Sequence, residues 1–177
     1  MAFVKSIDES AESVSSVLGG YPVQAQAIMS LAQDLLRTGE CQLSAAEREL
    51  VGAYASGVNA CTYCFDTHKS TAISFGVDES LLEAMVHDLE ISGVDSKLLP
   101  VCQYIRKLTL TPARVTQTDV DNVFSVGWDE NTFHFVVMIC SFFNMMNRIM
   151  NGYGVTNTEG FRWDQGAKLA DHGYLPS

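Results

Sequence analysis

The run Cys61-Thr62-Tyr63-Cys64-Phe65-Asp66-Thr67-His68 places two thiols and an imidazole close together in the chain. On a helix, spacings of i,i+3 and i,i+4 put all three side chains on one face. Residues three apart have Cβ atoms roughly 5–6 Å from each other, and a disulfide wants about 3.5–4.5 Å. A small local adjustment therefore closes the bond. A thiol reacts as its thiolate, and the imidazole one turn beyond Cys64 can take its proton or return it. These parts suit a dithiol that cycles between reduced and oxidised forms.

The residues leave open which thiol is the more reactive. Asn59 can cap the helix, which leaves Cys61 in the first turn, where unpaired N–H groups and the helix dipole favour negative charge. Cys64 lies deeper but has His68 within one turn. Glu49, twelve residues before Cys61, falls on the preceding helix. Packed antiparallel, it would reach His68, fix its tautomer and raise its basicity; the plain alternative is a solvated surface carboxylate. Other readings compete for the motif. One is a non-enzymatic redox sensor or oligomeric binding module that uses the same disulfide as a switch. Another is zinc, which needs four ligands. Cys61, Cys64 and His68 supply three, and Cys41, His87, Cys102, His134 and Cys140 add no repeated ligand spacing. The expectation is a site with no metal and no cofactor.

Helices must hold these residues. Residues 1–22 read as an arm ending at the breakers Gly19-Gly20-Tyr21-Pro22. Val23 to Leu36 has helical apolar spacing and Gly39 stops it. Ser44 with Glu47 makes a capping box for a helix to about Val58. The dithiol helix then runs to Phe75, with Gly76 as its stop. Asp78, Asp95 or Ser96, Thr118 and Asp129 open four more helices, the last from Glu130 to about Met150. Residues 152–177 show no clear periodicity and read as a tail. With no strand alternation and no linker, residues 1–177 form one all-α domain, a compact bundle of about seven helices. The 133–146 stretch is apolar nearly all round and must be covered on every side, which calls for subunit contacts. In it His134 reads as a core residue, and Arg148 beyond it as a buried ion-pair or carbonyl-binding residue.

Composition narrows the classes. The formal charge is −10, from 11 Lys+Arg against 21 Asp+Glu, and no basic run occurs. That argues against nucleic acid and anionic membranes as partners. A 14-residue apolar window is short of the ~20 residues of a membrane span. The first nine residues carry charges where a signal peptide is apolar. A cytoplasmic location follows as an expectation, and there five cysteines do not make a structural disulfide framework. Cys41, Cys102 and Cys140 then read as small apolar residues.

Arg48-Glu49, Asn59, Cys61-x-x-Cys64, His68 and Phe143-Asn144-Met145-Met146-Asn147-Arg148 together resemble the carboxymuconolactone decarboxylase-like superfamily, in its alkylhydroperoxidase D-type, peroxidase-related branch. The similarity runs from roughly residue 20 to 155. It implies an all-helical fold, oligomers built from trimers (a trimer or hexamer), and reduction of hydroperoxides with electrons from a dithiol donor protein or small dithiol. By the resemblance, Cys64 attacks the peroxide, Cys61 resolves, His68 relays the proton and Glu49 orients it. Well-studied branch members have a second histidine before the second cysteine. Here that position is Tyr63, a poor base near neutrality.

Overall fold

The computed structural model describes residues 3–4, 13–156 and 159–175, with residues 159–162 described by their backbone only. Most of the expected N-terminal arm therefore lies outside the described residues. The helices are α1 (Val14–Leu18), α2 (Pro22–Gln33), α3 (Ala45–Val58), α4 (Thr62–Ser74), α5 (Leu81–His87), α6 (Leu99–Leu110), α7 (Gln117–Ser125), α8 (Glu130–Tyr153) and α9 (Glu159–His172). No strand occurs among the described residues. The architecture is all-α, with more helices than the seven expected because α1 and α9 fall where no periodicity is legible.

Helix α3 is the axis of the bundle. Its residues from Arg48 to Ser56 are all buried, between α4 on one side and α6 and α8 on the other. The Ser44–Glu47 capping box opens it as expected: Ser44 N and Oγ both donate to Glu47 Oε2 at 2.7 Å, and Glu47 N donates back to Ser44 Oγ. Arg48 locks the entry to the helix. Its Nε donates to Leu43 O at 2.9 Å while its guanidinium lies over the Phe135 ring. Gly52 lets α8 come close, since a Cβ there would strike the Phe143 ring.

Helix α8 is 24 residues long, and by length and composition it could cross a membrane. In this fold it is a core helix: half of its apolar window is buried, and Phe135, Val136, Ile139, Phe143 and Met150 face inward. The opposite face is open, with His134, Ser141, Met145 and Arg148 exposed. This corrects two readings of the sequence. His134 is a surface residue, and Arg148 binds a carbonyl, Asn144 O at 2.6 Å, but is not buried.

The C-terminal stretch holds helix α9, which packs along α4. Its sequence is weakly amphipathic, so periodicity gave no sign of it. Contact is close at Gly166, where a Cβ would collide with Ser70 Oγ and the α4 backbone. Gly166→Ala is expected to cost about 1–3 kcal/mol by overpacking and to loosen α9 from α4. Thermal melts with limited proteolysis of the C-terminus would read this, and wild-type behaviour in both would contradict the packing.

Candidate active site

The turn from α3 to α4 takes only Asn59, Ala60 and Cys61. Asn59 ends α3, and Ala60 adopts φ +52°, the left-handed region. A residue with a Cβ pays on the order of 1–2 kcal/mol there. The reversal lays α4 back along α3. Cys61 is itself the N-cap of α4, with extended backbone and its N–H donated to Ser56 O at 3.0 Å. The expectation that Asn59 caps this helix is therefore wrong. The Asn59 amide is committed to α8, donating to Asn144 Oδ1 at 3.3 Å and Asn147 Oδ1 at 2.9 Å.

The reversal brings Glu49 to His68, with His68 Nδ1 2.6 Å from Glu49 Oε2. Glu49 is fully buried and not a solvated surface carboxylate. Two residues that sequence spacing did not reveal complete its shell. Arg37 Nη1 donates to Glu49 Oε1 at 2.6 Å, as does the Tyr174 hydroxyl at 2.6 Å. Arg37 comes from a π-helical turn, Asp34–Thr38, that continues α2, the kind of irregular turn that recurs at functional sites. Its guanidinium is held between the rings of Phe75 and Tyr174, 5.0 Å from each centroid. Burial alone would raise the proton affinity of Glu49. The charge and hydrogen bond of His68, the charge of Arg37 and the Tyr174 hydroxyl outweigh it and hold the carboxyl below its ordinary range.

With Nδ1 held by Glu49, Nε2 is the ring nitrogen of His68 that the carboxylate leaves uncommitted. The imidazole is clamped edge-on by Phe143 at 4.5 Å and is stacked by Tyr174 at 6.1 Å. Tyr174 reaches it because α9 ends at Gly173, whose φ of +73° turns the chain inward, and Tyr174 N donates to Gln33 Oε1 at 2.7 Å. Tyr174→Phe removes one hydrogen bond to a buried carboxylate, worth about 1.5–3 kcal/mol. Denaturant melts should show that loss, and a midpoint equal to wild type would disprove the contact's importance.

Cys64 and His68 line one cavity of about 190 Å³, walled by Val14, Met29, Phe142, Met146 and Leu169 and closed by Tyr174. Tyr63 holds α1 over it, its hydroxyl accepting from Val14 N at 3.0 Å, and burial pushes the Tyr63 proton affinity up. It serves here as a tether. Cys61 is fully buried and does not reach the cavity. Access and acidity thus fall on different sulfurs. The Cys64 thiol donates toward Cys61, which, with backbone N–H groups of Cys64 and Tyr63 and the Asn147 amide, outweighs burial and draws Cys61 down to about 7. The same coupling, with burial, raises Cys64. Both thiols are free. Among the described residues, no group of three His, Cys, Asp or Glu is arranged to hold a metal ion.

Residues 22–98 match the Carboxymuconolactone decarboxylase family. Over that segment, less than half of its length, the chain is similar to this family. The matched segment holds Arg37, Glu49, Cys61, Cys64 and His68, while Asn147 and Tyr174 lie outside it. Its fold is that of alkylhydroperoxidase D-type proteins. An uncharacterized peroxidase-related protein from Silicibacter sp. TM1040 superposes with a TM-score of 0.77 at 23% identity, over 84% of this chain and 78% of that one. The alkylhydroperoxidase AhpD core of a peroxidase-related protein from Ralstonia eutropha JMP134 gives 0.77 at 18%, over 87% and 80%. A protein of unknown function from Agrobacterium tumefaciens gives 0.68 at 19%, over 88% and 100%. At these identities the likeness speaks for the fold. No curated protein sequence matches the chain.

Proposed function

We propose that this protein is a thiol-dependent peroxidase that reduces small hydroperoxides through a Cys61–Cys64 dithiol–disulfide cycle. The observation that supports it is the buried Glu49–His68 pair, 2.6 Å apart, whose imidazole lines one apolar cavity together with Cys64. His68 Nε2 takes the Cys64 proton. The thiolate attacks the distal peroxide oxygen, the O–O bond breaks, and the departing alkoxide collects the proton as an alcohol. Cys64 is left as a sulfenic acid. Cys61 thiolate then attacks Cys64 Sγ, the disulfide forms, and hydroxide leaves as water once protonated. An external dithiol, from a protein or a small molecule, reduces the disulfide and is itself oxidised.

An apolar cavity near 150 Å³ is enough to bind benzene, so a compact alkyl hydroperoxide fits a space of about 190 Å³. The reading includes a cytoplasmic site of action, where dithiol donors are kept reduced, and a trimeric or hexameric assembly that covers the open face of α8. It involves neither nucleic acid nor a membrane. Purified protein supplied with tert-butyl hydroperoxide and dihydrolipoamide should consume peroxide and oxidise the dithiol in equal amounts. Absence of turnover with intact, reducible cysteines would overturn it.

A further inference from the structure

Among the described residues that line the cavity beside Cys64, Ser15 is the exposed one, so the cavity comes nearest to solvent at α1. This helix is five residues long, and its two ends are held differently. At the C-terminal end Val17 and Leu18 are buried in the core, and Tyr21 N donates to Leu18 O at 2.8 Å. At the N-terminal end Val14 and Ser15 form one wall of the cavity. There a hydrogen bond ties the helix to the bundle, Val14 N donating to Tyr63 Oη at 3.0 Å. An N–H of the first helical turn has no partner within its own helix, and the tyrosine supplies one. Tyr63 is 4% exposed, is fixed on α4 and stands next in sequence to Cys64. Packing therefore anchors α1 at Val17 and Leu18, and the Tyr63 hydroxyl fastens its other end across the cavity mouth.

We propose that Tyr63 is a specificity-determining residue: by fastening α1 over the mouth, its hydroxyl restricts Cys64 to compact hydroperoxides and turns fatty acyl hydroperoxides away. For the substrate it names, this rests on the peroxidase reading above. With the bond in place, a space of about 190 Å³ takes a compact molecule. A long or wide one needs the N-terminal end of α1 displaced. That displacement is a local opening, and its free energy includes the Tyr63–Val14 hydrogen bond. The net worth of such a bond shifts an opening equilibrium by about three- to tenfold. Losing it raises the reaction of bulky molecules by that factor and leaves small ones, which need no opening, as they were. The opposite walls are less able to yield, since Ala32 on α2 and Phe142 and Met146 on α8 are buried in long helices. The size limit therefore resides at α1.

Each half of the bond can be removed with the helix left intact. Tyr63→Phe deletes the acceptor and keeps the ring. Val14→Pro deletes the donor at the first helical position, where proline is favoured, and Ser13 before it is already extended, at φ −146° and ψ 161°. The reduced proteins are alkylated with iodoacetamide and, separately, with a pyrenyl maleimide too wide for the closed cavity. Fragmentation mass spectrometry locates the adducts on Cys64, and thermal melts check folding. Each variant should raise the ratio of maleimide to iodoacetamide rates at Cys64 by about three- to tenfold. The double variant should do no more than either single one, since both remove the same bond. The rate ratio of linoleic acid hydroperoxide to tert-butyl hydroperoxide should rise by the same factor. Alkylation ratios unchanged in the folded variants, or effects that add in the double variant, overturn the assignment and leave the peroxidase reading standing. Shifted alkylation ratios in a protein that consumes no peroxide sink the peroxidase reading and keep Tyr63 as the residue that limits access to Cys64.

Discussion

Cys64→Ser is expected to reduce hydroperoxide consumption by on the order of 10³-fold or more, the scale seen when an attacking nucleophile is removed. The hydroxyl is nearly isosteric, so the cavity and the bundle should survive. What is lost is the sulfur that faces the cavity beside His68. Cys61 cannot replace it, because it is fully buried and has no opening onto that space. Cys61→Ser should behave differently: it still reaches the sulfenic acid on Cys64, which dimedone would trap, but it cannot close the disulfide. Peroxide assays with dihydrolipoamide and mass spectrometry of trapped protein read both outcomes. A Cys64→Ser protein that retains the wild-type rate would remove the assignment of the attacking sulfur.

Glu49→Gln should produce the largest loss of stability. It leaves Arg37 without its carboxylate in a site closed by Tyr174 and α9, and breaking a buried pair by removing one partner costs about 3–5 kcal/mol. In a chain of this size that lowers Tm by roughly 2–4 °C per kcal/mol. Proton relay through His68 should weaken by about 10²–10⁴-fold. The pH dependence has a definite sign. The Glu49 carboxyl is held below its ordinary value in the folded protein, so its contribution is complete above the unfolded-state value of about 4.3. It is lost as pH falls through the lowered, folded-state value. Wild type should therefore lose stability on acidification in that window, while Glu49→Gln starts lower and loses less. Melts at pH 7 and at a series of values below pH 4 decide it. Equal wild-type and variant melts at pH 7 would show that the carboxylate holds nothing together.

The sequence by itself determined the helical class, the capping box that opens α3 and the Gly39 stop, and it named Glu49, Cys61, Cys64 and His68 as candidates for a site. Those are local matters, set by periodicity, capping chemistry and spacing along one helix or between two consecutive ones. Tertiary structure decided the rest. Arg37 and Tyr174 are 137 residues apart in the chain and meet only because a π-turn and the left-handed Gly173 aim both at one buried carboxylate. Helix α9 has too little apolar patterning to be legible alone; close contact at Gly166 places it. The division of labour between the sulfurs also lies beyond spacing. It follows from Cys61 standing at the N-cap of α4 and from the cavity opening on Cys64. Contacts of that kind depend on which faces of distant segments are pressed together, and no short-range pattern encodes them.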